Sequence, residues 1–206
     1  MPVAAARAAR TPERIGRLFE RLESDKADVK YGAAKALRQI SEERPEDLYP
    51  HFDDLLRLFE GENTILRWGA TRILGNLAVA DVEGRMEKVF DRYFAPISGH
   101  EMIGAANVIV AAAQIAVAKP NLAGRIAREI LKVEQAAYHT PECRNVAIGH
   151  AIKSFDRIFR LIEDGKPVLE FVARQLDNPR QATRRKAERF VKRWGSQSQA
   201  RPGNPL

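Results

Sequence analysis

Cysteine is nearly absent from this sequence. Cys143 stands alone, which excludes a disulfide framework within the chain and fits a reducing, cytoplasmic setting. Aromatic residues are sparse, at 7%. No run alternates apolar and polar residues between hairpin-type turns, which excludes a β-sandwich or barrel. Long hydrophobic runs are also missing. The most apolar stretch, Met102 to Ala118 (MIGAANVIVAAAQIAVA), is alanine-rich and carries Asn107 and Gln114. It is too short and too weakly apolar for a membrane span and reads as a buried helix. The opening MPVAAARAARTPER has arginines but no continuous apolar core, so it is not read as an export signal.

Catalytic signatures are wanting too. There is no phosphate-cradling glycine loop, no HExxH and no serine elbow. His139, Cys143 and His150 are three potential zinc ligands without a fourth. Cys143 and His150 lie two helical turns apart, about 10.5 Å, beyond the reach of a nucleophile and its base. The chain is therefore read as a non-enzyme with no metal and no cofactor.

What the chain has in quantity is repetition. DVKYGAAKALRQI (Asp28 to Ile40) returns as LRWGATRILGNLA (Leu66 to Ala78). Looser copies occupy Glu101 to Ile115, Arg144 to Phe155 and Thr183 to Trp194. Aligning Gly32, Gly69, Gly104, Val146 and Lys186 gives steps of 37, 35, 42 and 40 residues. Periods of this size belong to stacked helix pairs.

Each copy is read as the inner helix of a pair. The first outer helix starts at Thr11-Pro12-Glu13 and carries Ile15, Leu18, Phe19 and Leu22 on one stripe. Its partner runs from about Lys26 to Arg44, with Val29, Ala33, Ala36, Leu37 and Ile40 inward and an acid in the preceding turn placed to cap it. An outer helix over 48–59 precedes an inner one over 65–80, with Leu66, Ala70, Ile73, Leu74 and Leu77 in the core. The third pair has an outer helix over 82–97, then a capping box at Ser98-Gly-His-Glu101. Pro120 opens the fourth outer helix, and Thr140-Pro141-Glu142 starts an inner helix reaching as far as Glu163. The fifth pair is 166–176 with a basic helix ending at Trp194. The predicted organisation is a flexible leader (1–11), one repeat domain (12–195) and a disordered polar tail (196–206).

The inner helices, with acid-Val-Lys/Arg, then small residues, then Ala/Ile-Leu, resemble the second helix of HEAT/armadillo-type repeats. The resemblance covers about residues 12 to 195. It implies an all-α, right-handed α-solenoid of about five antiparallel helix pairs. It also implies a concave face, lined by inner helices, that binds protein, peptide or nucleic acid. The small residues are read as positions of close helix approach.

On a helical wheel Tyr31, Lys35 and Arg38 point away from the core. The matching positions are Trp68 and Arg72 in the second repeat, Asn107 in the third, and Arg185, Arg189 and Lys192 in the fifth. These are the candidate partner-binding residues of the concave face. The leading reading is a scaffold module that holds a protein or peptide there. The alternative is nucleic-acid binding. The net charge is +7; from Arg180 onward there are eight basic residues against Glu188 alone, leaving 26 basic and 26 acidic side chains before it. Such a helix supplies phosphate contacts, and aromatic faces stack bases. Trp68 beside basic residues is also similar to the HEAT-like alkylpurine DNA glycosylases. The chain departs from them, because neither Leu66 to Ala78 nor Met102 to Ala118 contains an acidic residue.

Overall fold

The computed structural model describes residues 12–195; the leader and tail expected at 1–11 and 196–206 lie outside the described residues. All regular structure among them is helical. The chain forms two compact units, one up to Phe90 and one from Asp91.

In the first unit α1 (Pro12–Leu22) packs on α2 (Ala27–Glu43), and α2 packs on α5 (Thr64–Leu77). Ala33, Leu37 and Ile40 of α2 are buried, as are Leu66, Ala70, Ile73, Leu74 and Leu77 of α5. That is the expected register, although Val29 and Ala36 stay partly accessible. The acid expected to cap α2 does not: the helix begins after Lys26 without a side-chain cap, and Asp28 lies within its first turn. Asn63 does cap α5, its Oδ1 accepting from Leu66 N at 3.1 Å.

The expected outer helix over 48–59 is interrupted. A short α3 (Pro45–Leu48) leads into a 3-10 turn over Tyr49–His51 and then α4 (Phe52–Glu60). Pro50 lacks an amide to continue the α-helical ladder.

The outer helix expected over 82–97 breaks more thoroughly. It becomes α6 (Arg85–Lys88), α7 (Phe90–Phe94) and a 3-10 segment over Ala95–Ser98. The cause is Asp81, buried at 6% exposure. Its carboxylate accepts from the amides of Arg85 (2.8 Å) and Met86 (3.0 Å) and from the Tyr49 hydroxyl (2.7 Å). Those amides are the free donors of a helix start, so the helix begins at 85, behind Gly84 at φ 65°. The capping box at Ser98–Glu101 also fails to form. Ser98 ends the 3-10 segment, and Glu101 precedes α8 with no side-chain cap.

In the second unit α8 (Met102–Ala118), α10 (Pro141–Ile158) and α12 (Gln181–Trp194) pack in series. The shorter α9 (Ala123–Leu131) packs against α8 and α10, and α11 (Lys166–Arg174) against α12. The 3-10 turns over Pro120–Leu122 and Phe159–Leu161 flank α9 and α10, so the inner helix expected to reach Glu163 stops at Ile158. The helix starts where Thr140-Pro141-Glu142 was expected to start it, and Thr140 caps it, accepting from Cys143 N at 3.1 Å.

The sequence period reappears as hydrogen bonds between successive repeats. Ser154 Oγ donates to Ile109 O at 2.8 Å, Thr183 Oγ1 to Asn145 O at 2.8 Å and Tyr138 Oη to Ile97 O at 2.7 Å. In the first unit Asn76 Nδ2 donates to Ser41 Oγ at 2.9 Å. Each joins neighbouring repeats, so polar groups as well as apolar ones fix the register.

Candidate functional site

Two surfaces carry the residues singled out in the sequence, one in each unit.

In the first unit α2 and α5 lie side by side and present Tyr31, Lys35 and Arg38 beside Trp68 and Arg72. Lys35 and Arg72 are exposed and make no ion pair or hydrogen bond with the described residues. Arg38 is 3.4 Å from Glu42 one turn on, an exposed pair of small energetic weight. Tyr31 is half-buried, with its hydroxyl 3.5 Å from Asn63 Nδ2. Trp68 is also half-buried, and its Nε1 finds no acceptor among the described residues.

Between these side chains sit Gly32 and Gly69. The repeated glycines were expected to let helices approach closely, and at these two positions they do not. A Cβ built at either meets nothing within 4 Å. Each lies one residue past Tyr31 or Trp68, about 100° around its helix, where no described atom comes within reach of a Cβ. Glycine inside a helix is less stable than alanine by about 0.5–1 kcal/mol. Gly32→Ala and Gly69→Ala are therefore each expected to raise the unfolding free energy by about that amount. The check is a denaturant midpoint; a lower midpoint in either variant would show that the fold itself requires the glycine.

In the second unit the predicted residues behave differently from one another. Asn107 Nδ2 donates to Ile103 O at 3.0 Å, back-bonding within its own helix. Arg189 Nε likewise donates to Arg185 O at 3.0 Å. Arg185 and Lys192 are exposed and carry no side-chain partner among the described residues.

Sequence reasoning missed the richer feature, a groove of about 550 Å³ between α10 and α12. Lys153 and Asp156 line one wall and Lys186, Arg189 and Arg193 the other, over Ile152 and Phe190. Asp156 accepts from Trp194 Nε1 at 2.7 Å and from Arg193 Nη1 at 3.1 Å. Lys186 occupies the register position held by Gly32 and Gly69 in earlier repeats. It reaches across to α10, where Nζ donates to Gly149 O at 2.9 Å. Gly149 is a true close-approach glycine: a Cβ there would lie 2.9 Å from Thr183 Oγ1 and 3.0 Å from Lys186 Nζ. The available signal was the pairing of Gly149 with Lys186 one repeat on.

Positive charge accumulates at this end of the unit. Burial, then Arg180, Lys153 and Arg189, lower the pKa of Lys186 from its ordinary value. Burial, then Lys186, Lys153 and Arg180, lower that of His150. Arg180 is partly offset by Glu142, 2.8 Å from its Nε. No cluster of three or more His, Cys, Asp or Glu side chains suited to a metal occurs among the described residues. Nor is any described helix long and apolar enough to cross a membrane.

The sequence matches no family model, and comparison with curated proteins yields no match. Among solved structures, a chain from the Pds5-Scc1 complex, examined for its implications for cohesin function, aligns with 100% of this chain. The TM-score is 0.66 and the sequence identity 13%. The aligned part is 32% of that chain, so this protein spans about a third of its length. At such identity the likeness is one of fold: the chain is an all-α, HEAT-like array of helix pairs.

Proposed function

We propose that this chain is a non-catalytic, cytoplasmic interaction module that holds a protein or peptide partner on the face presented by its inner helices. The observation that carries the reading is the repeated triplet of the first unit. Tyr31, Gly32 and Lys35 on α2 recur as Trp68, Gly69 and Arg72 on α5, with the two rings half-buried and the two cations exposed and unpaired among the described residues. An aromatic ring, a backbone without a Cβ beside it and a free cation together suit close approach by a partner's main chain. Helix glycines facing open space lower stability, so their repetition at one register favours a role outside the fold. The solved Pds5-Scc1 complex, with its similar fold, supports the same class of role.

The test is panning of a displayed random-peptide library. The wild type is expected to enrich a recurrent motif that Gly32→Leu/Gly69→Leu and Lys35→Glu/Arg72→Glu proteins, verified as folded, do not. No enrichment, or equal enrichment by the variants, overturns the reading.

A second reading, nucleic-acid binding, rests on the eight-to-one charge bias from Arg180 onward. It requires tight binding of labelled DNA or RNA that weakens steeply between two salt concentrations and is lost in Arg185→Glu/Arg189→Glu.

A further inference from the structure

The chemistry of the groove between α10 and α12 is one-sided. Four cations, Lys153, Lys186, Arg189 and Arg193, face a single carboxylate, Asp156. That carboxylate is already engaged by Arg193 and the Trp194 indole. Lys186 is half-buried, and its one hydrogen bond among the described residues goes to Gly149 O. Lys153, Arg189 and Arg193 line the same groove as Lys186. A fold arranged for stability alone would neutralise a lysine placed there. Burial first, and the neighbouring cations after it, make Lys186 and His150 bind protons less readily than usual.

We infer that the groove between α10 and α12 is a docking site for an extended acidic peptide segment whose carboxylates pair with Lys153, Lys186 and Arg189. The inference rests on the interaction-module reading and names the chemistry of one partner segment. Charge complementarity selects an anionic occupant, and three further observations select a peptide over a nucleic acid. First, the aromatic rings under the groove, Phe190 and Trp194, are 1% and 3% exposed, so no ring face is offered to a base. Second, Asp156 sits in the wall, where its oxygens can accept from a peptide N–H, a donor that a phosphodiester backbone lacks. Third, Lys186, Arg189 and Arg193 recur at i, i+3 and i+7, a stripe about 10 Å long. An extended chain covers that length with about three to four residues and alternates its side chains. Acidic residues on one side then meet the cations, while apolar residues lie along the lysine and arginine stems. Arg193, held by Asp156, keeps the end of the stripe in place.

The experiment measures fluorescence anisotropy of a short labelled peptide alternating glutamate and leucine, with its glutamine counterpart and a labelled oligothymidylate as controls. The full chain is expected to bind the glutamate peptide at least tenfold more tightly than the glutamine one. Affinity is expected to drop at least tenfold in Lys186→Met and in the exposed-site variant Lys153→Gln, both first shown to be folded by circular dichroism. The imidazole signals of His150 supply an independent readout, because a bound carboxylate at Lys186 raises the histidine's pKa toward its ordinary value. Equal affinity for the two peptides, unchanged affinity in both variants, or an unmoved His150 titration overturns the inference. So does oligothymidylate binding that Lys186→Met abolishes while the peptide fails to bind. If the library selects peptides through the α2–α5 face while the groove ignores the acidic peptide, this inference alone fails. If neither surface binds any peptide, the interaction-module reading fails with it.

Discussion

Aspartate introduced at Ala33 or Ala70 is expected to destabilise the first unit by about 4 kcal/mol, close to what a small domain has in total. Each alanine is only 2% exposed, one on α2 and one on α5, and these helices pack on each other. An added carboxylate enters helix faces whose buried residues include Leu37, Ile40, Ile73 and Leu74. It must either remain charged in a low-dielectric setting or take up a proton, and both routes cost several kcal/mol. The measurement is urea unfolding, with Lys35→Ala as the exposed control, expected to stay within about 0.5 kcal/mol of wild type. Midpoints unchanged in both aspartate variants would mean that the core register described for α2 and α5 is wrong.

The second large effect is expected at Asp81. Asp81→Ala removes one acceptor group from three donors: the Tyr49 hydroxyl and the amides of Arg85 and Met86. Unmet buried donors cost about 1–3 kcal/mol each. Partial rescue by water brings the expected loss to about 3 kcal/mol. Asp81→Asn is expected to cost less, about 1–2 kcal/mol, because the amide retains one acceptor oxygen but turns an NH2 group toward a donor. A loss from Asp81→Asn as large as that from Asp81→Ala would show that charge, rather than acceptor count, is what the site requires.

The same cluster predicts a pH window. Burial, reinforced by the hydrogen bond to Asp81, raises the Tyr49 pKa to about 12, and burial alone raises that of Tyr138 to about 12. Both folded values lie above the ordinary 10, so the folded state holds these phenol protons more tightly than the unfolded chain. Their contribution is complete below pH 10 and is lost as pH rises from 10 to about 12. Tyr49→Phe and Tyr138→Phe should each flatten the fall in denaturant midpoint across that window. A fall of equal steepness in both variants would place the alkaline sensitivity elsewhere.

The amino-acid sequence by itself determined the fold class, the repeat and much of the core. Helical periodicity is a local property, and a residue's angle on the wheel follows from its position alone. Ala33, Leu37 and Ile40, and Leu66, Ala70, Ile73, Leu74 and Leu77, are therefore legible as core from the sequence. So is the start of α10 at Thr140-Pro141-Glu142, where a hydroxyl and a proline fall in adjacent positions. Where a distant group competes with local propensity, periodicity misleads. The expected helix over 82–97 breaks because Asp81, fixed by Tyr49 from an earlier repeat, takes the amides that start α6. Ser98 and Glu101 have capping-box spacing, yet a 3-10 turn over 95–98 leaves the serine before the helix start instead of at it. Gly32 and Gly149 look alike in sequence. Only tertiary structure decided that one faces open space while the other carries Thr183 and Lys186 against its backbone. The groove, too, arises only in three dimensions. Lys153 and Asp156 belong to one repeat and Lys186, Arg189 and Arg193 to the next, and a wheel drawn on either helix cannot place charges across the gap between them. Local chemistry sets what each helix is; packing sets which side chains meet.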